Sequence, residues 1–298
     1  MRKKIKLKLL SLVVVLGTML LTLSGCTGNT DSSHQHDQIS IVTTTNIYAD
    51  IAQNIVGKYG KAEPIIDKAS MDPHDFEPKT NDAKKLSNAD LVVANGLGYD
   101  SWMNKLASSV DKKPILVGED VMGLAKNANP HIWYSLTMPT KYVNYLVKKL
   151  SKKDPKHRDY YQANADKYLA KITKVKKLAD KIDGTKHKPV YVSEPVFDYA
   201  LQASGLKVAN QDFEKAIENE TDPSPATIQK MTTGIKEHKI AFFVNNTQAT
   251  SPVVNNFVKQ AKKSNVPVLE VRETIPDKTT YLEWLTDNYQ KLAKIVQK

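Results

Sequence analysis

The sequence predicts an α/β protein of two lobes, each holding a mostly parallel sheet flanked by helices. Three observations lead there. From residue 39 onwards, short β-branched apolar runs alternate with amphipathic helical segments, the pattern of parallel strands whose crossover helices cover both faces of a sheet. The same alternation begins afresh near residue 188. Between the two series lies a helical run of different texture that contains neither Gly nor Pro. The length of 298 residues suits two domains of ordinary size.

In chain order, "ISIVTTTN" (39–46) reads as a strand because it is rich in β-branched residues. "IYADIAQNIVG" follows as a helix, with Ile47, Ile51 and Ile55 on one face and Gly57 as its stop. "AEPIID" (62–67) is a short strand, 80–89 a helix, 90–96 a strand, 99–110 a helix and 114–118 a strand. In the second series, 188–195 reads as a strand, 196–205 as a helix and "LKVAN" (206–210) as a strand. A helix over 224–238, a strand over 239–246, a helix over 251–265, a strand over 266–273 and a closing helix over 278–297 complete it. The intervening run, 156–182, carries an apolar stripe of Tyr161, Ala165, Tyr168, Leu169, Ile172, Val175 and Leu178. Its 27 residues would span about 40 Å, enough to bridge two lobes, although an ordinary helix of one lobe has the same pattern. The expected division is 1–25, 26–38, 39–155, 156–183 and 184–298.

The first 25 residues stand apart. Arg2, Lys3, Lys4, Lys6 and Lys8 precede an uncharged, mostly apolar run from Leu9 to Leu23. Fifteen residues rise about 22 Å as a helix, short of the roughly 30 Å of a bilayer core, so the segment reads as a signal peptide. It ends in "LSGC", where small residues precede Cys26, the only cysteine. This resembles the lipobox of bacterial lipoproteins, in which the cysteine becomes the lipidated N-terminus; the alternative is a chance cysteine beside a generic cleavage site. One cysteine excludes an internal disulfide framework. Residues 27–38 form a polar tether whose His34 and His36 either capture metal weakly or are merely polar. Without the leader, 38 basic residues stand against 32 acidic ones, a net charge of +6. The lysines are dispersed and not interleaved with aromatics, which gives no nucleic-acid signal.

Polar residues at strand ends supply the candidate site, because open α/β sheets gather ligands at the carboxyl ends of their strands. "MDPHDFEP" (71–78) places His74 between acids and two prolines, just past the strand near Pro64. "NPHIW" puts His131 in a second Pro-marked turn. Glu194 ends the first strand of the second series, and Glu273 falls just past its last strand. Two neutral imidazoles and two carboxylates carry a charge of −2, which a divalent cation neutralises. Spacing alone does not establish such a site, since four ligands scattered over some two hundred residues make no local motif. Trp133 and Phe76 either wall the pocket or pack the core, and Asp72, Asp75 and Glu77 either orient His74 or cap a helix. His157, His187 and His238, in lysine-rich contexts, read as solvated.

After the leader, the chain resembles the zinc/manganese solute-binding lipoproteins of bacterial ABC importers. The likeness rests on "DPHDFEP" (72–78), "NGLGYDSW" (95–102), "NPHIW" (129–133), "YYQANADKYLAKI" (160–172) and "SEPVFDYALQASGL" (193–206). In that family the histidines of the first and third motifs are metal ligands, which implies His74 and His131. The third ligand falls at Glu194, where some relatives have His, and the fourth, usually Asp, falls near Glu273. Asn129 stands where the family usually has Asp. The resemblance implies two lobes joined by a rigid helix, a metal in the cleft, delivery to an ABC permease powered by a cytoplasmic ATPase, an extracytoplasmic, lipid-anchored location and no enzymatic activity. A monomer is expected. Nitrogen and oxygen donors without thiolate suit Mn2+, Zn2+ or Fe2+. Carboxylates that bind through both oxygens favour Mn2+, whereas the general affinity order favours Zn2+. Two readings of other classes are a surface adhesin and a cell-surface metallo-hydrolase. The latter needs an open coordination position and a general base, and no HExxH-like motif is present.

Overall fold

Strand β1 (Ile39–Thr45) is buried along almost its whole length, as its β-branched sequence requires of an inner strand. The computed structural model describes residues 38–71, 76–248 and 251–297. In it β1 pairs in parallel with β2 (Gly60–Ile66) on one side and β3 (Leu91–Ala94) on the other, and β4 (Ile115–Leu116) continues beyond β3. The order β2-β1-β3-β4 changes direction at β1, so the connections leaving β1 and β3 diverge and open a crevice at their carboxyl ends. Helix α1 (Asn46–Val56) buries Ile47, Ile51 and Ile55 and stops at Gly57, whose φ of 55° suits glycine. A Cβ at Gly57 would overlap the Tyr160 side chain. Helices α2 (Thr80–Ser87) and α3 (Ser101–Ser108) follow β2 and β3.

Helix α4 (Met138–Lys153) has no counterpart among the elements expected from sequence; it buries Tyr142, Val143, Leu146 and Leu150. The long helix is α5 (Arg158–Ala179), 22 residues preceded by a 3-10 turn over Pro155–His157, so it is shorter than the 27-residue run expected over 156–182. His157 is not simply solvated. Its ring stacks on Tyr59 at 3.5 Å and its Nδ1 lies 2.6 Å from Asp154.

The second sheet is also parallel, with β5 (Tyr191–Val192), β6 (Phe243–Asn246) and β7 (Val268–Val271) in that order. The strand expected over 206–210 is reduced to one bridge, Val208 to Val190. The cause is local. The Asn210 side chain accepts the Val192 N–H at 3.0 Å and donates to the Val192 carbonyl at 2.7 Å, taking up the groups a longer ladder would use. Around this sheet lie α6 (Asp198–Ala203), α7 (Gln211–Glu218), α8 (Pro225–Lys236) and α9 (Pro252–Lys263). Both α8 and α9 begin with a capping serine, Ser224 or Ser251, followed by proline. Helix α10 (Tyr281–Val296), opened by a Thr280–Glu283 capping box, leaves the second sheet and packs on α5 and α1.

The described residues form one unit, and one apolar cluster runs through both sheets, from Ile41 and Val93 past Trp133 and Tyr134 to Val192, Val244 and Val271. Among the described residues, no helix is long and apolar enough to cross a membrane. The leader, Cys26, His34, His36, and Asp72, His74 and Asp75 lie outside the described residues.

Candidate metal centre

The second sheet brings three polar side chains to one edge. Asn246 ends the middle strand β6, paired with Val271 of β7, and Val244 is paired with Val192 of β5. Glu194 lies two residues beyond Val192 and Glu273 two beyond Val271, so an acid flanks Asn246 on each side. The Asn246 Nδ2 donates to Glu194 Oε2 and to Glu273 Oε1, both at 2.7 Å. The two N–H bonds of an amide diverge by about 120°, which sets these oxygens about 4.7 Å apart. At that separation two unit charges repel by about 3.5 kcal/mol at an effective dielectric near 20. The amide offsets part of that repulsion.

Glu273 is 1% exposed, and its Oε2 accepts the Tyr99 hydroxyl at 3.0 Å. Burial, followed by the adjacent Glu273 charge and hydrogen bond, holds the Tyr99 pKa well above the usual phenol range, so Tyr99 remains a donor. The Glu273 backbone N–H donates to Gln248 Oε1 at 2.7 Å, as does that of Thr274 at 3.1 Å. Gln248 in turn donates to the Met71 carbonyl at 3.2 Å, which ties the end of β7 to the loop leaving β2. Thr274 and Arg272 add hydrogen bonds to the Ala69 carbonyl in the same loop.

His131 comes from the first half of the chain and is 1% exposed. Its Nδ1 lies 2.7 Å from Asn129 Oδ1, which also accepts the His131 backbone N–H at 2.9 Å. Asn129 Nδ2 donates to the Pro195 carbonyl at 2.7 Å, which fixes the orientation of the amide. The oxygen facing His131 is therefore an acceptor, and Nδ1 carries the proton. A neutral His131 then has its lone pair on Nε2, the arrangement of a metal-ligating histidine held by a second partner. The loop is secured from below by Asn95, whose Nδ2 donates to the Pro130 carbonyl at 3.0 Å. Asp100 shapes the turn that delivers Tyr99 by accepting the N–H groups of Asn95 at 2.6 Å and Gly96 at 2.9 Å. Gly96 has a φ of 79°, and a Cβ there would overlap the Glu119 carboxylate. The Trp133 ring meets His131 edge-on at 5.2 Å and is fully buried, so it both walls the site and packs the core. Phe76 packs against Trp102 at 4.7 Å.

The structure thus joins Glu194 to Glu273 through Asn246, and places His131 edge-on to Tyr99 at 6.2 Å, the residue that binds Glu273. Among the described residues, no three His, Cys, Asp or Glu side chains form a group that would hold a metal ion. His74 lies outside the described residues. Glu270 sits within β7 with its side chain 60% exposed, 4.0 Å from Lys262, and Asp277 is exposed, so neither borders the site. Asn246, Tyr99 and Gln248 were not among the candidates from sequence. Asn246 and Tyr99 follow the same strand-end rule that singled out the acids, being the last residue of β6 and part of the loop leaving β3.

A cleft beside the site is lined by Tyr99, Asn129 and Pro195 and by the acids Asp198, Glu214 and Glu218. Burial and then the charge of Glu218 push Asp198 up to about 7. Burial and then the charges of Asp198 and Glu218 push Glu214 up to about 8.

Residues 41–295 match the family described as zinc-uptake complex component A, periplasmic. The metal ABC transporter substrate-binding lipoprotein SloC of Streptococcus mutans is 31% identical, over 83% of this chain and 85% of its own length. The manganese ABC transporter substrate-binding lipoprotein PsaA of Streptococcus pneumoniae is 27% identical, over 98% of this chain and 99% of its own. The structure of the binding protein FpvC of Pseudomonas aeruginosa in complex with Mn2+ superposes with a TM-score of 0.72 at 23% identity, covering 87% of this chain and 98% of that one. The Zn(II)-bound ZnuA-like domain of Streptococcus pneumoniae AdcA gives 0.68 at 24% identity, covering 88% and 100%. At such identities the two structural matches establish a shared fold.

Proposed function

The chain belongs to the family of periplasmic zinc-uptake component A proteins, and from that premise we propose that it captures a divalent transition-metal ion, Mn2+ or Zn2+, outside the cytoplasm and delivers it to an ABC permease. The observation that carries this reading is the convergence of two carboxylates, Glu194 and Glu273, on Asn246, with the buried His131 of the other half of the chain edge-on to Tyr99, which bonds Glu273. Two carboxylates held this close, one of them buried, make a site that favours a cation. The ligands are His131 through Nε2, Glu194, Glu273 and, from its sequence motif, His74. Together they bear a charge of −2, matched by a divalent ion. Their nitrogen and oxygen donors suit Mn2+ and Zn2+, and the lone cysteine, Cys26, stands far from them in sequence.

In this reading the metal is cargo and the protein is not an enzyme. Four protein ligands fill a tetrahedral site and leave no open position for an attacking water. A membrane ATPase, not this chain, supplies the energy for transport. Lipidation at Cys26 would hold the protein, as a monomer, at the outer face of the membrane. The deciding experiment is elemental analysis of protein purified without chelator, followed by calorimetric competition between Mn2+ and Zn2+. One equivalent of bound metal, lost when Glu273 is replaced, is the expected result. Absence of binding by either ion overturns the proposal.

A further inference from the structure

We propose that Asn246 is a positioning residue for metal capture, a neutral clamp that keeps Glu194 and Glu273 converged before a cation arrives. The inference rests on the metal-capture reading and adds a role that the ligand set does not contain. Asn246 is 1% exposed, and its backbone N–H and both ends of its side-chain amide have partners. Its backbone N–H donates to Ser193 Oγ at 2.9 Å, and its Oδ1 accepts the Gln248 N–H at 3.1 Å. With the oxygen oriented by Gln248, the two Nδ2 hydrogens point at the acids, and Nδ2 lies 2.7 Å from a carboxylate oxygen of each.

The chemistry of this position is restrictive. It needs two donors diverging towards two acids, one acceptor for Gln248, and no net charge. A serine has one donor. An aspartate has none and adds a third negative charge. A lysine has enough donors, but its ammonium would neutralise the pair and compete with the awaited metal. The amide alone draws the carboxylates together while leaving their charge in place. Each carboxylate oxygen has two lone pairs, so an N–H on one does not bar a cation from the other. The hydrogen bonds therefore persist in the loaded site, and their removal costs the loaded form, which needs the acids converged, more than the metal-free form, in which mutual repulsion widens the gap between them. Loss of the clamp consequently weakens binding.

Two variants test the clamp. Asn246→Leu removes both donors at similar volume. Asn246→Asp keeps the shape and adds a negative charge, which by charge alone would tighten cation binding but by loss of donors drives the acids apart. Dissociation constants for Mn2+ and Zn2+ are read by competition, folding by thermal unfolding, and the acids by their carboxylate infrared bands in metal-free protein. The expected result is binding at least tenfold weaker in both variants, with Glu carboxylate bands shifted in metal-free Asn246→Leu. Either wild-type affinity in the variants or tighter binding by Asn246→Asp overturns the clamp. If Asn246→Leu does not fold, Asn246→Asp alone decides by the direction of its change. A wild-type protein that binds neither ion would instead overturn the metal-capture reading itself.

Discussion

Asn129 Oδ1 lies 2.7 Å from Nδ1 of His131 while the same side chain donates to the Pro195 carbonyl, one residue past Glu194. A single amide thus sets the tautomer of a histidine from the first half of the chain and ties it to the strand end that carries an acid from the second. The aspartate that the family usually has at this position would accept from His131 but would have no hydrogen for Pro195.

Asn129→Ala should therefore weaken metal binding by about 10- to 100-fold, the usual cost of removing a histidine's outer partner. Asn129→Asp, which retains the acceptor for His131, should fall between the alanine variant and wild type. Competition titrations with a chromogenic chelator measure both. Equal affinity in all three proteins would show that His131 is oriented without Asn129.

The two acids of the last strand separate cleanly. Glu273 is 1% exposed and bonded to Tyr99 and Asn246, whereas Glu270 is solvated near Lys262. Glu273→Gln should lower affinity by orders of magnitude, because it leaves the loaded site with an excess positive charge. Glu270→Gln should change it by less than about twofold, since an exposed charge pair contributes little. Isothermal titration of the two variants would expose the opposite assignment directly.

The acids of the neighbouring cleft make stability depend on pH. Asp198 and Glu214 titrate at about 7 and about 8 in the folded protein, above the ordinary values of 3.8 and 4.5. Between roughly pH 4 and pH 8 the folded state binds more protons than the unfolded one, so their contribution is complete below pH 4 and declines as pH rises to 8. Glu214→Gln, which stays neutral, removes its share of that decline. Its unfolding temperature relative to wild type should rise by several degrees between pH 5 and pH 8.5. A difference that does not vary with pH would place the proton elsewhere.

Cys26→Ala should abolish fatty-acid labelling and release the protein from the membrane. Labelling that persists in the variant would exclude Cys26 as the lipid attachment site.

Most of the fold was legible because its signals are local. The β-branched run at 39–45, the isoleucines of α1 at helical spacing and the Ser-Pro starts of α8 and α9 each report on their own segment. Helix α4 was not legible. Its Met-Pro start follows a turn-rich stretch that obscures where it begins, although its buried Tyr142, Val143, Leu146 and Leu150 recur at helical spacing with no lysine among them. The strand expected over 206–210 failed because its own last residue, Asn210, captures the Val192 backbone with its side chain. At the site, His131, Glu194 and Glu273 were readable as a histidine and two acids at turns and strand ends. Asn246 and Gln248 were not, because an amide after a strand looks like any turn residue until the register reveals what it faces. Tyr99 looked like part of a helix.

The return of α10 to α1 and α5 governs when the molecule can be completed during its synthesis. The Tyr281 N–H donates to Asp50, 231 residues earlier, so one of the contacts that closes the core waits for nearly the last turn of chain to leave the ribosome. Until then α1 and α5 lack the apolar cover that Leu285, Tyr289 and Leu292 help to build, and contacts so distant in sequence form slowly. Removal of the last helix would leave the apolar faces of α1 and α5 uncovered, a permanently unfinished and protease-sensitive form.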